Sequence, residues 1–206
     1  MHSTLAILPV AYLAPISHYA AMATHPEVQW DIHEHFHKQF FYNRCVISGP
    51  NGILKLTIPI SHDHERTAVK DIRISYESPW QKLHWRSFEA SYRRSPYFEY
   101  YEETFRPIYE DYKPEYLIEW NRRLFDATIE ILKSDIKLSY TGEYHKLYEG
   151  IVDYRSLASP NILASKPVKE VKYLQVFEDR HGFIPDLSII DLLCCEGPHA
   201  MQLLKN

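Results

Sequence analysis

Cysteine is scarce: three in 206 residues, with Cys45 alone and Cys194 beside Cys195. The set offers no CxxC metal spacing and no disulfide framework. A reducing cytoplasm suits such a chain. Basic excess is also lacking, since 23 Lys and Arg stand against 27 Asp and Glu for a formal charge of −4. Whole-chain charge therefore argues against a general nucleic-acid binder. No apolar run approaches the roughly 20 residues that span a bilayer, and MHSTLAILPVAYLAP has no Lys or Arg ahead of an apolar run that Pro9 and Pro15 interrupt. The expectation is a soluble, unexported, cytoplasmic protein with no membrane insertion. Neither GxGxxG nor a P-loop is present to cradle a phosphate, and G-x-S-x-G and HExxH are missing as well. No cofactor is expected. Repeats and low-complexity segments are absent, so 206 residues at 45% hydrophobic read as one domain over 1–206.

Tyrosine and histidine are abundant instead, at 16 and 12 residues. Tyrosine joins an apolar body to a polar tip, which suits core edges and grooves. Leu5 to Leu13 reads as a strand, Pro15 and Ile16 to Thr24 as a helix start and helix, and Val28 to Ile32 as a second strand, together a βαβ opening. Phe40 to Ser48 and Ile53 to Ile60 flank Gly49-Pro50-Asn51-Gly52 as a hairpin, with Pro59 marking an edge or strand end. Ile72 and Ile74 suggest one more short strand. Three helices follow: one opened by a Ser78 to Gln81 capping box, a second from Ser95-Pro96 to Tyr112, and a third after Pro114. Asn121 falls on the apolar stripe of the third and therefore needs a dedicated partner. Lys137 to Tyr140 is expected to return to the sheet, Glu143 to Val171 to be loop with short elements, and Ser188 with Asp191 to cap a helix ending near Gly197. The fold class expected is α/β: an N-terminal mixed sheet with a βαβ start and a hairpin, packed against three central helices.

Candidate chemistry gathers in DIHEHFHKQFFYNRCVIS, from Asp31 to Ser48. His33, His35 and His37 alternate, so on a strand they would share a face, and His62 with His64 repeats the spacing; a metal-dependent hydrolase is one reading. Short motifs of this kind match by accident, and no metal ligand is assigned. Asp31, Glu34 and Lys38, with Asn43 and Arg44 behind them, could form an anion or sugar pocket in which a carboxylate accepts a proton, or a surface ion-pair cluster. His84, beside Trp80 and Phe88, is either a core histidine holding a backbone carbonyl or a general base.

Three segments carry a resemblance to a known family. They are Asp31 to Gln39 running into Tyr42-Asn43-Arg44-Cys45; Trp80, His84 to Ser87, Tyr92 and Ser95 to Tyr101; and Tyr173 to Gly197, with Gln175-Val176-Phe177 and Gly182-Phe183-Ile184-Pro185. In this order they resemble the WbqC-like family across nearly the whole chain. Lys38, Gln39, Asn43, Arg44, His84, Trp85, Tyr92, Tyr97, Asn121 and Gln175 fall on family pattern positions. The chain departs from that pattern at Asp31 for Glu, Asp186 for Asn, and Cys194-Cys195 for Phe-Asn. The resemblance implies a role in bacterial surface polysaccharide (O-antigen) biosynthesis, with transfer of a small amino-acid or acyl group to a sugar. The expected roles are Asp31, Glu34 or His84 for the proton and Lys38 with Arg44 for an anionic substrate. Gln39, Asn43, Trp85, Tyr92, Tyr97, Asn121 and Gln175 line the site. The partner is a small molecule, a nucleotide sugar or amino-acid donor, and a non-catalytic carrier of a nucleotide sugar or glycan precursor is the alternative.

Overall fold

The computed structural model describes residues 5–61, 67–160 and 170–206. Apolar residues on both faces of β1 (Leu5–Pro9) fit a strand covered on both sides, and Pro9, which has no N–H to donate, is its last residue. The chain then turns through a buried stretch to Pro15 and enters α1 (Ile16–Ala23), whose residues Ile16 to Met22 are all buried. β2 (Glu27–Asp31) returns parallel to β1, pairing Leu5 with Glu27 and Pro9 with Asp31. The expected βαβ unit is therefore present.

The hairpin is β3 (Arg44–Gly49) and β4 (Gly52–Thr57), with Cys45 opposite Leu56 and Gly49 opposite Gly52. Gly52 has φ +104°, a conformation that disfavours side chains. The strand starts later than the sequence suggests because Phe41–Asn43 winds into a single 3-10 turn. Pro59 follows the end of β4, as expected of a strand terminator. Ile72 and Ile74 do not make a strand; Val69–Asp71 is a 3-10 turn and only isolated bridges follow, Ile60 with Ile74 and Arg73 with Tyr116.

The central helices are α2 (Trp80–Tyr92), α3 (Phe98–Asp111) and α4 (Leu117–Leu132). The capping box expected at Ser78 does not form. Pro79 precedes the first helical residue with no side-chain cap, and Gln81 instead donates its amide to the Tyr112 carbonyl at 2.8 Å, tying α2 to the end of α3. Beyond α4, β5 (Lys137–Tyr140) pairs parallel with β2, Trp30 beside Tyr140. The short β6 (Val152–Asp153) pairs parallel with β1. The four parallel strands lie in the order β5-β2-β1-β6, and the hairpin forms a separate two-stranded sheet. Parallel and antiparallel pairings are thus divided between two sheets.

The core joins these layers through rings. Trp30 of β2 meets Phe125 of α4 edge to face at 5.2 Å, and Phe125 stacks on Tyr19 of α1 at 6.2 Å. Trp80 and Trp120 cross at 4.9 Å between α2 and α4. The tail adds α5 (Glu178–His181), α6 (Ile189–Glu196) and α7 (Ala200–Lys205). Ser188 does not cap α6 with its side chain; its hydroxyl donates to the Leu13 carbonyl at 2.6 Å. Asp191 likewise turns away from the helix start to accept from Tyr92 and Tyr173, each at 2.8 Å. Among the described residues, no helix is long and apolar enough to cross a membrane.

Candidate functional site

In an open parallel sheet, ligand sites form outside the carboxyl ends of the strands, where the connections leave in opposite directions. Here β1 passes through α1 to β2 on one flank, while β6 occupies the other flank. Arg155, two residues beyond β6, reaches across this point to Asp31 at the end of β2 and pairs with it at 2.9 Å. The pair is almost dry, with side-chain exposures of 10% and 0%.

Neither member has much hydrogen-bonding capacity to spare. Asp31 Oδ1 accepts from the His33 and Glu34 backbone N–H groups at 3.1 and 3.2 Å and from the Thr141 hydroxyl at 3.3 Å. Arg155 donates Nη1 also to the His145 carbonyl, Nη2 to Asp153 and the Lys146 carbonyl, and Nε to Asp153. Its guanidinium lies 4.8 Å from the Tyr148 ring centroid and 5.5 Å from that of Tyr144. Together they tie down the loop after β5 and turn the chain after β2. The two bonds of Asp31 to successive amides form an Asx-type turn that sets the course of the chain into Glu34.

Glu34 is the carboxylate this arrangement presents. Half-buried, it accepts a 2.8 Å hydrogen bond from the Tyr42 hydroxyl. Burial pushes its carboxyl up to about 7, and the negative charge of Asp31 adds to the rise, while the Tyr42 hydroxyl and the Arg155 charge hold it back. An acid with a pKa near neutrality exchanges protons in either direction at physiological pH. Tyr42, quoted in the sequence only as a pattern residue, and Arg155, in a stretch expected to be loop, are the site members that residue patterning missed. Arg155 lies 124 positions from Asp31, so no local spacing announces the pair.

His84 is held in a chain of hydrogen bonds inside the core. Its Nδ1 lies 2.9 Å from the Tyr12 hydroxyl, which lies 2.7 Å from the Tyr109 hydroxyl. Burial lowers its pKa to about 4, against a smaller opposing effect of the Thr57 carbonyl. His84 therefore lies buried among Tyr12, Trp80 and the Thr57 carbonyl.

The other sequence candidates separate into two groups. Asn43, Asn121 and Gln175 are buried and bonded to the chain: Asn43 to the Ile58 carbonyl at 2.8 Å, Asn121 to the Tyr42 carbonyl at 2.8 Å, and Gln175 to both N–H and C=O of Ile184 at 2.8 and 2.7 Å. Tyr92 is spoken for by Asp191, and Trp85 stacks on Phe98 at 5.8 Å within the aromatic core. Tyr97 is half-buried against Gly197. The second group faces water. Lys38 and Gln39 lie exposed in the turn before Phe41, and Arg44 is half-buried with its Nε sequestered and without a hydrogen-bond partner.

His33, His35 and His37 are not on a strand. Asp31 bends the chain at residues 33–34, and His35 alone bridges to Ala68, so the shared face expected of the alternation does not form. His62 and His64 lie outside the described residues. Among the described residues, no three His, Cys, Asp or Glu side chains are grouped to hold a metal ion. Cys45 and Cys194 are buried free thiols and Cys195 is partly exposed.

Comparison with a family model covers the first two of the three segments quoted from the sequence, and Tyr173 to Gly197 lies beyond it. No solved structure gives a significant match. An uncharacterised protein of Mycobacterium tuberculosis (strain ATCC 25618 / H37Rv), Rv1507c, is 23% identical over 197 residues, covering 82% of this chain and 83% of that protein. Residues 15–155 match the WbqC-like protein family, a span that holds Asp31, Glu34, Tyr42, His84 and Arg155. The chain is therefore a member of the WbqC-like protein family.

Proposed function

We propose that the protein transfers a small amino-acid or acyl group to a sugar in bacterial surface polysaccharide biosynthesis, in the cytoplasm, with Glu34 as the proton acceptor. The observation that carries the reading is Glu34 itself: a half-buried carboxyl with its pKa raised to about 7, hydrogen-bonded to Tyr42 at the carboxyl edge of the parallel sheet. In the step proposed, an acceptor hydroxyl or amine of the sugar attacks the donor's carbonyl carbon. Its proton passes to the Glu34 carboxylate as the new bond forms, the bond to the leaving group breaks, and Glu34 returns the proton to that group. Asp31 holds Glu34 in place, and His84 supports the core behind it rather than titrating.

Lys38 and Arg44 are assigned to the anionic part of the substrate. Among the described residues neither is paired with a carboxylate, and a guanidinium matches planar oxyanions through two parallel hydrogen bonds. The test is to screen sugar nucleotides, amino acids and acyl donors by thermal shift and then follow product mass for every donor and acceptor that binds. Wild type should form product, and Glu34→Gln should bind the same ligands while losing about 10²- to 10⁴-fold in turnover, the span of general base catalysis. Ligand binding without product from any pair would make the protein a carrier, and full turnover by Glu34→Gln would remove Glu34 from the mechanism.

A further inference from the structure

A cleft opens at the same carboxyl edge, lined by Ile32 just beyond β2 and by Tyr140 at the end of β5. It occupies about 440 Å³ between the exposed face of α4, the Val69–Asp71 turn and the end of β5. Such a volume lies within the range of small-molecule sites. Three cations line it, Lys70, Arg122 and Arg123, in a chain whose net charge is −4. Two carboxylates also line it, and both are engaged with the chain. Asp126 takes the Arg122 Nε at 2.8 Å, and Glu119 accepts the Tyr116 backbone N–H at 3.1 Å. Among the described residues, neither Lys70 nor Arg123 is paired with a carboxylate. Arg122 is oriented from below, its guanidinium 5.9 Å from the Tyr140 ring centroid, and Tyr140 itself is 39% exposed.

We infer that this cleft binds the diphosphate of a small molecule. Lys70 and Arg123 supply the charge, Arg122 offsets Asp126, and the exposed part of the Tyr140 ring gives a surface for a base or sugar attached to the diphosphate. Cations converging on a partly enclosed site bind phosphate oxygens through short, charge-assisted hydrogen bonds. Two cations that line one cleft without a carboxylate partner contribute little to folding and attract an anionic ligand. The assignment does not rest on Glu34 or on turnover, so the two readings stand or fall separately.

Isothermal titration of the full chain with sodium pyrophosphate and with UDP tests it directly. Both should bind, UDP more tightly than pyrophosphate, and both more weakly as salt is added. The double variant Lys70→Gln/Arg123→Gln removes two side chains without carboxylate partners, so its unliganded melting temperature should match wild type while its affinity for both probes falls at least about ten-fold. Absence of binding by both probes, or equal binding by wild type and variant, overturns the proposal. Binding of UDP without any binding of pyrophosphate also overturns it, because recognition would then belong to the base and not to the cations.

Discussion

Glu34 gives the sharpest prediction at the scale of single residues. Folding raises its carboxyl from the ordinary 4.5 to about 7, chiefly through burial. Between those values the native protein holds a proton that the unfolded chain has released, so its contribution to stability falls as pH rises through that window. Above pH 7 the buried charge costs the native state on the order of 1 to 3 kcal/mol. Glu34→Gln keeps an acceptor for Tyr42 and removes the charge. Its melting temperature should equal wild type near pH 4.5 and exceed it at pH 8, measured by calorimetry at both values; an unchanged difference across that range would contradict the raised pKa. The residue types were legible beforehand, since the sequence placed Glu34 among three candidates for the proton. Which of the three is presented was not, because that depends on Arg155 engaging Asp31 and on Tyr12 engaging His84, contacts between residues far apart in the chain.

At the scale of elements, local chemistry announced most of what formed. Pro15 and Gly49-Pro50-Asn51-Gly52 mark the start of α1 and the hairpin turn, and the apolar stripe of α4 is read from Leu117, Trp120 and Leu124. Local motifs failed where a tertiary partner competed for the same group. Gln81 and Ser188 are capping residues by pattern, yet both donate to carbonyls in other elements, Tyr112 and Leu13. Gly197 shows the reverse case, a turn residue with a packing role. It ends α6 at φ +53° and ψ −123°, and a Cβ there would lie 2.5 Å from carbons of the Tyr97 ring. Gly197→Ala should therefore destabilise the protein by about 2 kcal/mol or more, through backbone strain together with the clash. Urea denaturation measures this, and Tyr97→Ala in the same chain should recover the part due to the clash. A neutral Gly197→Ala would show that the junction of α6 and α3 is loose.

Across the whole molecule, the two ends of the chain close one core. The amide of Ile16 donates to the Leu187 carbonyl at 2.9 Å, and that of Ile189 to the Ala14 carbonyl at 2.9 Å. Asp186 accepts from the Ser17 amide at 2.7 Å, at the start of α1. Asp191, buried and pushed up to about 6 by that burial, joins α6 to Tyr92 of α2 and to Tyr173. The start of α1, the hairpin through the Val46 carbonyl, which accepts from the Ser188 amide at 2.8 Å, and α2 through Tyr92 thus share ties with the C-terminal segment, and we expect the chain to unfold as one unit. Fluorescence dominated by Trp80, Trp85 and Trp120 of the helices and Trp30 of the sheet should follow the same urea transition as far-ultraviolet circular dichroism. Two separated transitions would divide the chain into independent parts.

The measurement that bears most directly on the proposed chemistry is the pH dependence of kcat/KM for the transfer reaction, in wild type and in Tyr42→Phe. A proton acceptor must be ionised in the free enzyme, so activity should fall on the acid side with a midpoint near 7, where burial places the Glu34 carboxyl. Loss of the Tyr42 hydroxyl removes a hydrogen bond that favours the carboxylate, so the midpoint should move to higher pH in the variant. An acid limb near 4.5, or one that stays in place without the Tyr42 hydroxyl, would contradict the assignment of Glu34 as the base.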